Sequence, residues 1–518
     1  MKQLRLFLVA VFFVHLFSAW AWAFELVDID PLATKEEKAY LAAVDVFPIE
    51  AIRSVAATMT EHGLNPRKYW SEDMESRYQK GGDSRLKARA NKNFLLLLKD
   101  ISIGAVDPAL LPKDIKIERK KFYSPKQLQA LIVSTGQNAS VLVNSLAPQS
   151  PPYIALKSMF QKVSSACQNN TWVVLKRSKK PLKLGVQDPN IINVKNHLRF
   201  LGYSIPNQDD IFDADTEKAV NDIEWNMHMK PDGIIHPSGQ VWKFLMTSCK
   251  DRVQQLQADM EKMRWFPQQF GDRYIFINLA MTYFVLVDKT QNPPYVTSFR
   301  TINGRSERKS PTMKDKIVEV ILNPFWVVPP TIFIEDKVEE IKALPQWQIR
   351  YYFESRNYEI WNHDWTQKVD PESINWWAIT PGTDAEIYIR QKPHYWNALG
   401  VVKFELTNSF SIYLHDTNQR ELFYEAQRLL SSGCIRLEKP MDLAEYLLKG
   451  TEWDRAKIEA TVAKPGEVMK DDTPIKLKNP IPVYTVFLTS FLGNDGILRF
   501  TDDSYGQNRN ILKNLIAL

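Results

Sequence analysis

The chain has 518 residues, of which 66 are basic and 60 acidic, so its formal net charge at neutral pH is +6. This length exceeds what a single hydrophobic core supports and predicts two to four domains. A hydrophobic share of 44% with 24% charged residues excludes a disordered, collagen-like or polytopic membrane protein. The weak basic excess contains no dense Lys/Arg block, so we expect no nucleic-acid partner.

The first 23 residues have the three-part pattern of a secretory signal. Lys2 and Arg5 precede an apolar run over residues 6–20, and the sequence Ala-Trp-Ala ends at Ala23. We therefore expect cleavage after Ala23 and export of the mature chain. An uncleaved anchor is the alternative, but the run is short for a stable membrane span.

Three cysteines are present: Cys167, Cys249 and Cys434. An odd number in an exported chain leaves at least one thiol unpaired or reactive. Cys167 and Cys249 either pair with each other or remain two buried free thiols, and the sequence leaves both possibilities open.

Residues 24–185 are expected to form a helical scaffold domain. Apolar residues recur three and four positions apart over residues 36–46, 49–62, 86–101 and 125–141. The region holds few acid/base or metal constellations, so we interpret it as a packing scaffold.

Residues 186–250 are predicted to form three short helices. Gly202-Tyr203 follows the first helix, Phe212–Thr216 precedes the second, and Pro231–Gly233 makes a turn before the third. These landmarks resemble the peptidoglycan-binding domain 1 family. The resemblance implies binding of peptidoglycan glycan, with simple packing against neighbouring domains as the alternative.

A connecting helix is expected within residues 251–270, followed by a β domain over residues 271–465. β-branched and aromatic runs predict strands at residues 274–278, 283–287, 318–322, 401–405 and 411–414. Residues 329–393 form a long Trp- and Tyr-rich insertion that is partly helical, and a lid is the usual use of such an excursion. Residues 466–518 are expected to add strands, at 481–488 and 496–500, that complete the core.

The residues that carry chemistry follow the last of these strand patterns. His415 ends a strand, and Cys434 follows Gly433, whose small size lets the backbone turn and present amides to an oxyanion. A free thiol is mostly protonated at neutral pH, so attack on an amide needs a base, which His415 supplies. Arg436 is placed to bind a substrate carboxylate. Ser431 is expected to position the backbone or the substrate.

This stretch resembles the YkuD-type L,D-transpeptidase signature, which is a His, about fifteen residues and then Ser/Thr-x-Gly-Cys-x-Asn/Arg. Here fifteen residues separate His415 from Ser431, and Arg436 takes the last position. Residues 323–329, 397–400 and 482–484 agree as well. The closest pattern is the large Gram-negative subfamily, which implies a multidomain α+β chain: a helical scaffold domain, a three-helix peptidoglycan-binding domain, and a mostly-β catalytic domain with a partly helical capping insertion.

The resemblance implies a periplasmic cysteine enzyme that forms 3→3 peptidoglycan cross-links without metal or cofactor. Its partners would be peptidoglycan stem peptides and glycan, other periplasmic cell-wall synthesis proteins, and carbapenems as covalent inhibitors. The amides of Gly433 and Cys434 would form the oxyanion hole. The expected substrate-binding residues are Arg436, Ser431, Ser432, Tyr413, Trp326 and Asn397. Three positions depart from the family pattern: Ser432 replaces a common His, Asp416 a common Gly, and Pro330 an Arg that would anchor the lid.

Three other functions fit parts of the sequence. The same residues would support an L,D-carboxypeptidase or another hydrolase acting on the same stems. A wall-binding protein with a vestigial thiol is a second alternative, although the complete His/Cys/Arg set opposes it. A zinc hydrolase is the third, but the histidines lack ligand spacing, and His197, His228 and His236 are expected at the surface.

Overall fold

The computed structural model describes residues 34–172, 175, 178–382 and 386–517. The predicted signal segment, residues 1–23, lies outside these residues. None of the helices in the described ranges is both long and apolar enough to cross a bilayer.

Helices form the N-terminal domain, as predicted. They are α1 (Lys35–Val44), α2 (Ile49–Thr58), α3 (Pro66–Tyr69), α4 (Glu72–Gln79), α5 (Ser84–Ile103), α6 (Pro125–Ser134), α7 (Ala139–Leu146) and α8 (Pro151–Gln168). The helix predicted over residues 125–141 is in fact two helices. Gly136 and Gln137 take positive φ angles between them, and the Asn138 side chain caps the second helix by accepting from Ser140 N–H (3.0 Å).

Three helices form the next module, and a fourth connects it to the β domain. They are α9 (Asn190–Leu201), α10 (Ala214–Asn226), α11 (Gln240–Met246) and the connecting helix α12 (Cys249–Trp265). A disulfide joins Cys167 at the end of α8 to Cys249 at the start of α12, which resolves the pairing that the sequence left open. Cys434 is the free cysteine.

The β domain is one sheet that closes on itself. Its strands are β1 (Ile115–Lys116), β2 (Arg273–Asn278), β3 (Tyr283–Asp288), β4 (Tyr295–Gly304), β5 (Thr312–Leu322), β9 (Val402–Leu406), β10 (Leu414–His415), β11 (Leu429–Ser431), β12 (Ile435–Leu437) and β13 (Thr473–Val486). The order is β1-β5-β13-β2-β3-β4-β12-β10-β9, β11 pairs with β4, and β9 also pairs with β5, which closes a barrel. The strand predicted at 411–414 is shorter than expected and begins only at Leu414.

The capping insertion has its own small sheet and core. The strands β6 (Trp326–Val327), β7 (Tyr358–Asn362) and β8 (Ile387–Gln391) pair in the order β6-β8-β7, and the helices are α13 (Pro330–Ile332), a π turn (Phe333–Lys337), α14 (Val338–Lys342) and α15 (Ile349–Ser355). The partly helical lid predicted over residues 329–393 is therefore a separate layer.

The C-terminal segment serves two cores. The helices α16 (Pro440–Leu448) and α17 (Arg455–Thr461) pack on the barrel interior, as does β13. The strands β14 (Ser490–Leu492) and β15 (Leu498–Phe500) form a separate hairpin, and α18 (Gln507–Ala517) follows. β15 pairs with β14 alone rather than with the barrel, and its Leu498 and Phe500 join the apolar cluster on the outer barrel surface.

Helices cover one part of the outer barrel surface. Tyr274, Phe276 and Tyr484 point outward from β2 and β13 and share one apolar cluster with α8, α12, the three-helix module and the C-terminal hairpin. The predicted multidomain α+β class is confirmed.

Candidate active site

Two short parallel strands bring the predicted base and nucleophile together. β10 pairs with β12 so that His415 lies opposite Arg436. Ile435 N–H donates to Tyr413 O (3.2 Å), which places Cys434 beside Tyr413. His415 and Cys434 are therefore diagonal neighbours, with their Cα atoms about 7–8 Å apart, within reach of their side chains.

Both side chains project from the outer face of the barrel. Successive strand residues point to opposite faces, and Leu414 and Ile435 are fully buried in the barrel interior. Their neighbours His415 and Cys434 consequently lie outside. Tyr413 shares this face, since its ring centroid is 5.6 Å from that of the imidazole.

Serine hydroxyls hold the loop that carries the nucleophile. Gly433 has a φ of 118°, a conformation that glycine adopts without strain. Ser431 Oγ donates to Cys434 O (2.6 Å) and accepts from Gly433 N–H (3.2 Å). Ser310 Oγ donates to Gly433 O (2.7 Å). The Gly433 amide is thus engaged with Ser431, so the oxyanion role predicted for both amides falls to the Cys434 amide.

Burial sets the protonation state of His415. The residue is 4% exposed, and burial lowers the pKa of its imidazole to about 3, an effect increased by Arg436 and Lys403. Backbone groups of Asp416 and Leu399 offset the shift only in part. Nδ1 is buried without a hydrogen-bond partner in the described part of the chain. A neutral imidazole with a free ring nitrogen is what a general base requires.

The Cys434 thiol is also neutral at rest. Burial raises its pKa, while hydrogen bonding with Tyr413 and the positive charges of Lys403 and Arg436 oppose the rise. A lowered imidazole pKa and a raised thiol pKa both disfavour a thiolate–imidazolium pair. At rest the thiol therefore keeps its proton.

Lys403 is a site residue that the sequence analysis missed. It lies opposite His415 in the pairing of β9 with β10, and its Nζ is 4.3 Å from the centroid of the Tyr413 ring. It also forms an ion pair with Glu405. The predicted strand at 401–405 contained Lys403, but only the pairing of that strand with β10 brings it to the nucleophile.

Arg436 is a guanidinium with no counter-ion among the described residues. Its Nη1 donates to Gln419 Oε1 (2.9 Å), and its Nε is buried without a partner in those residues. Burial lowers its pKa. An uncompensated cation on the face that carries Cys434 fits the predicted role of binding a substrate carboxylate.

The capping insertion covers this face. Trp326 and Tyr413 belong to the insertion's apolar cluster, and Cys434 packs against it. Cys434 Sγ is 3.6 Å from Ser411 O. Two of the predicted substrate-binding residues, Trp326 in the insertion and Tyr413 on the barrel, therefore belong to the apolar cluster against which Cys434 packs.

One arginine fastens the insertion to the nucleophile loop. Arg308 donates to Asp336 through Nη1 and Nη2 (both 2.6 Å) and to Glu335 through Nη2 (2.6 Å). Its Nη1 also donates to Ser432 Oγ (3.1 Å). Ser432, predicted to contact substrate, instead contacts this fastening. Arg308 supplies the anchoring charge that Pro330 lacks, and its position in the turn between β4 and β5 gave no signal in the sequence.

Asn397 supports a loop rather than facing the cleft. It is fully buried, its Nδ2 donates to Lys392 O (2.9 Å), and its Oδ1 accepts from Leu399 N–H (2.8 Å). The substrate contact predicted for Asn397 is therefore replaced by a role in holding the chain that leads into β9.

Asp416 turns away from the base. It accepts from Val401 N–H (3.0 Å) and from Arg420 (2.5 Å). The adjoining residue must be Gly400, because a Cβ there would lie 2.2 Å from Asp416 Oδ2. Asp416 thus fixes the chain beside β10 while His415 points to the outer face.

The histidines considered as zinc ligands have other surroundings. In the described ranges, no group of three or more His, Cys, Asp or Glu residues is arranged to hold a metal ion. His197 is 1% exposed and packs against Trp172, with ring centroids 5.0 Å apart. Nε2 and Nδ1 of His228 lie 2.7 and 3.1 Å from the carbonyls of Ala280 and Ala426. The surface positions predicted for His197 and His228 were wrong, since both pack between elements.

The outer face of the barrel thus carries a free thiol, a neutral imidazole and an unpaired guanidinium close together. Residues 272–462 match the family described as "L,D-transpeptidase catalytic domain", residues 48–159 the "Scaffold domain" and residues 187–238 the "Putative peptidoglycan binding domain". The predicted arrangement of a scaffold domain, a peptidoglycan-binding domain and a catalytic domain is confirmed.

Individual relatives agree with these matches. A Haemophilus influenzae (strain ATCC 51907 / DSM 11121 / KW20 / Rd) protein named "Putative L,D-transpeptidase" is 31% identical over 269 residues. That alignment covers 52% of this chain and 51% of the relative, so the chain spans about half the length of the curated protein it matches.

Two solved structures were also matched. The L,D-transpeptidase (residues 123–326) of Xylanimonas cellulosilytica DSM 15894 is 12% identical, with 60% of this chain and 100% of that chain covered and a TM-score of 0.19. The L,D-transpeptidase of Stackebrandtia nassauensis is 10% identical, with 60% and 96% covered and a TM-score of 0.22.

Proposed function

We propose that this chain is an exported, periplasmic L,D-transpeptidase that forms 3→3 cross-links between peptidoglycan stem peptides, with Cys434 as nucleophile and His415 as base. The observation that carries the proposal is the placement of Tyr413, His415, Cys434 and Arg436 on one outer face of the barrel, beneath an aromatic insertion. The family match of residues 272–462 supports it.

The first half-reaction transfers the donor stem to the enzyme. Cys434 Sγ attacks the carbonyl carbon of the third residue of a tetrapeptide stem, a diamino acid, as the thiol proton passes to His415. The Cys434 N–H donates to the oxyanion. The C–N bond to the terminal D-alanine then breaks, and His415 returns the proton to the leaving amine, which leaves a thioester.

The second half-reaction forms the cross-link. The side-chain amine of another stem attacks the thioester carbon, and its proton passes to His415. The C–S bond breaks, and the thiolate takes the proton back as the thiol. Arg436 holds a stem carboxylate during both steps, and the insertion excludes water, which would otherwise hydrolyse the thioester.

The test is product analysis by mass spectrometry. Purified mature chain incubated with disaccharide-tetrapeptide muropeptides is expected to release D-alanine and form 3→3 dimers, and the Cys434→Ala variant is expected to form none. Dimers formed equally by Cys434→Ala would reject the assignment. Free tripeptide without dimers would identify an L,D-carboxypeptidase, and binding without turnover a wall-binding protein.

A carbapenem gives an independent test of the nucleophile. Because the proposed reaction passes through an acyl-enzyme, a carbapenem is expected to add its mass to the peptide containing Cys434. The Cys167→Ala/Cys249→Ala double variant is the matched control and should still be acylated. An adduct that persists in Cys434→Ala would contradict the proposal.

A further inference from the structure

A second cavity lies on the outer barrel face, outside the catalytic cleft. Its volume is about 730 Å³, and it is bounded by β3, by the ends of α8 and α10, and by the β14–β15 hairpin. Alternate residues of β3, namely Tyr283, Val285 and Val287, are half-buried and form its floor, whereas Phe284 and Leu286 fill the barrel interior. An apolar surface of this size that the chain leaves uncovered is typical of a binding site.

Two arginines meet one tryptophan at the edge of this cavity. The Cζ atoms of Arg428 and Arg300 lie 4.8 and 5.8 Å from the centroid of the Trp225 ring, and all three residues line the cavity. The arginines belong to the barrel, and Trp225 belongs to the matched peptidoglycan-binding domain. The cavity is therefore shared by the two modules that the proposed function connects to peptidoglycan.

Arg428 is a buried cation without an acidic partner. It is 4% exposed, its Nε donates to Thr282 Oγ1 (3.0 Å), and its Nη1 donates to the carbonyl of Glu425 (2.6 Å). No carboxylate of the described residues is recorded within 4 Å of it, and burial lowers its pKa to about 10. A buried cation without a counter-ion is costly unless an anion completes it.

The other charges at the cavity do not supply that anion. Arg499 is neutralised by Asp222 (3.0 Å) and Asp495 (2.8 Å). Glu438 lies 3.5 Å from Arg300, so Arg300 and Arg428 share a single carboxylate. Because both aspartates lie on Arg499, the end of the cavity at Arg300 and Arg428 has two cations and one carboxylate, which favours a ligand carboxylate there.

Asn278, a polar side chain in the cavity wall, also favours a peptide ligand. Asn278 is 3% exposed, and its Oδ1 accepts from the amides of Ala280 and Leu488 (both 3.2 Å). Its Nδ2 is buried without a partner in the described residues. An unpartnered amide donor in a cavity that two arginines also line suits a peptide ligand that offers carbonyl and carboxylate oxygens.

The cavity adjoins the catalytic face. Arg436 lies opposite Ile302 in the pairing of β12 with β4, and Arg300 is two residues before Ile302 on the same face of β4. The Cα atoms of Arg300 and Arg436 are therefore about 8 Å apart. An extended peptide of four to five residues spans roughly 13–18 Å, enough to reach from the cavity to Cys434.

We propose that this cavity binds the acceptor stem peptide, with its free carboxylate on Arg300 and Arg428 and its alanyl methyl groups on the floor formed by β3. This assignment rests on the proposed function and adds a second peptide site to it. Guanidinium N–H groups of both arginines would donate charge-assisted hydrogen bonds to the carboxylate, and anchoring at the cavity would leave the acceptor's side-chain amine free to extend toward the thioester.

Photo-crosslinking tests the location directly. A tetrapeptide stem that carries a diazirine is irradiated with full-length Cys434→Ala protein, and labelled peptides are mapped by mass spectrometry. We expect labels near Trp225 and Arg428 as well as in the cleft. Arg300→Gln should lower cavity labelling roughly ten-fold or more, as loss of a charged hydrogen bond predicts. Arg455→Gln is the control, because both arginine side chains are 38% exposed.

Each outcome is decisive. Cavity labelling that disappears when the peptide carboxylates are amidated supports the inference, as does its loss in Val285→Glu, which places a negative charge on the floor if Arg300→Gln misfolds. Labels confined to the peptide around residue 434 overturn the inference but leave the proposed function standing. Labelling of the cavity by a chitin-type tetrasaccharide and not by the stem would overturn the peptide assignment, and no labelling anywhere would count against both.

Discussion

The N-terminal scaffold domain with helix α12, here called the helical platform, and the capping insertion both pack on the barrel. Their ion pairs differ in how deeply they are buried. Within α12, which joins the platform to the barrel, Arg264 pairs with Glu261 (2.7 Å) and Lys262 with Asp259 (3.1 Å), and all four side chains are at most 1% exposed. Breaking such a pair leaves a charge stranded in the interior. Arg264 also donates to the carbonyl of His62 in the scaffold domain, and Lys262 donates to that of Phe487 just after β13, so α12 ties that domain to the barrel.

The insertion is fastened by charges that water can reach. The partners of Arg308, namely Glu335 and Asp336, have side chains that are 53% and 33% exposed. Separating them lets water solvate the charges, so these ion pairs add little to the cost of opening. Buried ion pairs therefore fix the helical platform, whereas the insertion that covers the active site is held by ion pairs that separate more readily.

The largest effect is expected in the platform. Glu261→Gln leaves Arg264 buried without its anion and should lower the free energy of unfolding by about 3–5 kcal/mol. Chemical denaturation followed by circular dichroism measures this. Arg53→Gln removes an arginine from an ion pair with Glu75 at the surface of the same domain and should change stability little. Equal losses of unfolding free energy in the two variants would contradict the difference inferred between buried and exposed ion pairs.

Beneath the insertion, a change should affect activity without stability. Tyr413→Phe removes the hydroxyl that lowers the pKa of the Cys434 thiol and should reduce kcat/KM by roughly ten- to a hundred-fold. Tyr446→Phe is the control, because its hydroxyl bonds Asp288 (2.8 Å) outside the cleft. A thermal midpoint that falls as much as activity would show that Tyr413 acts through the fold.

A smaller effect is expected at the fastening of the insertion. Arg308→Gln should change the free energy of unfolding by less than about 1 kcal/mol, yet raise the ratio of hydrolysed tripeptide to cross-linked dimer several-fold, because water enters the cleft more often. The control is Arg350→Gln, since Arg350 binds Asp370 and Glu372 within the insertion itself. An unchanged product ratio would mean that the insertion does not exclude water.

The smallest effect is expected when the pH is varied, because kcat/KM should hardly change. With a His415 pKa of about 3, the imidazole stays neutral from pH 8 to pH 5, so kcat/KM should stay flat. A histidine of ordinary pKa, about 6.5, would lose about thirty-fold in its neutral fraction at pH 5. A steep acid limb near pH 6.5 would contradict the buried neutral base.

Stability must be measured alongside that profile. Burial lowers the pKa of His62 to about 3 and that of His197 to about 4. Below pH 6.5 the unfolded chain binds protons that these buried imidazoles do not, so stability is full above pH 6.5 and falls as the pH drops toward the folded-state values. Circular dichroism at each pH separates this loss from an effect on chemistry.

Much of this arrangement could be predicted from the sequence. The spacing of His415, Ser431, Cys434 and Arg436 is a local pattern, and periodicity located about half of the helices and strands. What could not be predicted depends on pairing between distant segments. Lys403 reaches the site only because β9 pairs with β10.

The roles of individual polar side chains were harder to predict for the same reason. Asn397 carries the right chemistry for substrate binding, but the loop around it uses both of its polar groups. The split of the 125–141 helix was missed because apolar periodicity continues across Gly136, and only the positive φ angles there end the first helix.

The central claim is that Cys434 becomes acylated while His415 accepts its proton. The most direct measurement is intact-protein and peptide mass spectrometry after the mature chain is mixed with a tetrapeptide donor whose diamino-acid side-chain amine is acetylated, so that no acceptor amine is present. We expect a thioester on the peptide containing Cys434 that hydroxylamine cleaves. In His415→Ala we expect the same thioester to form slowly. An acyl group on another residue, or none while D-alanine is released, would contradict it.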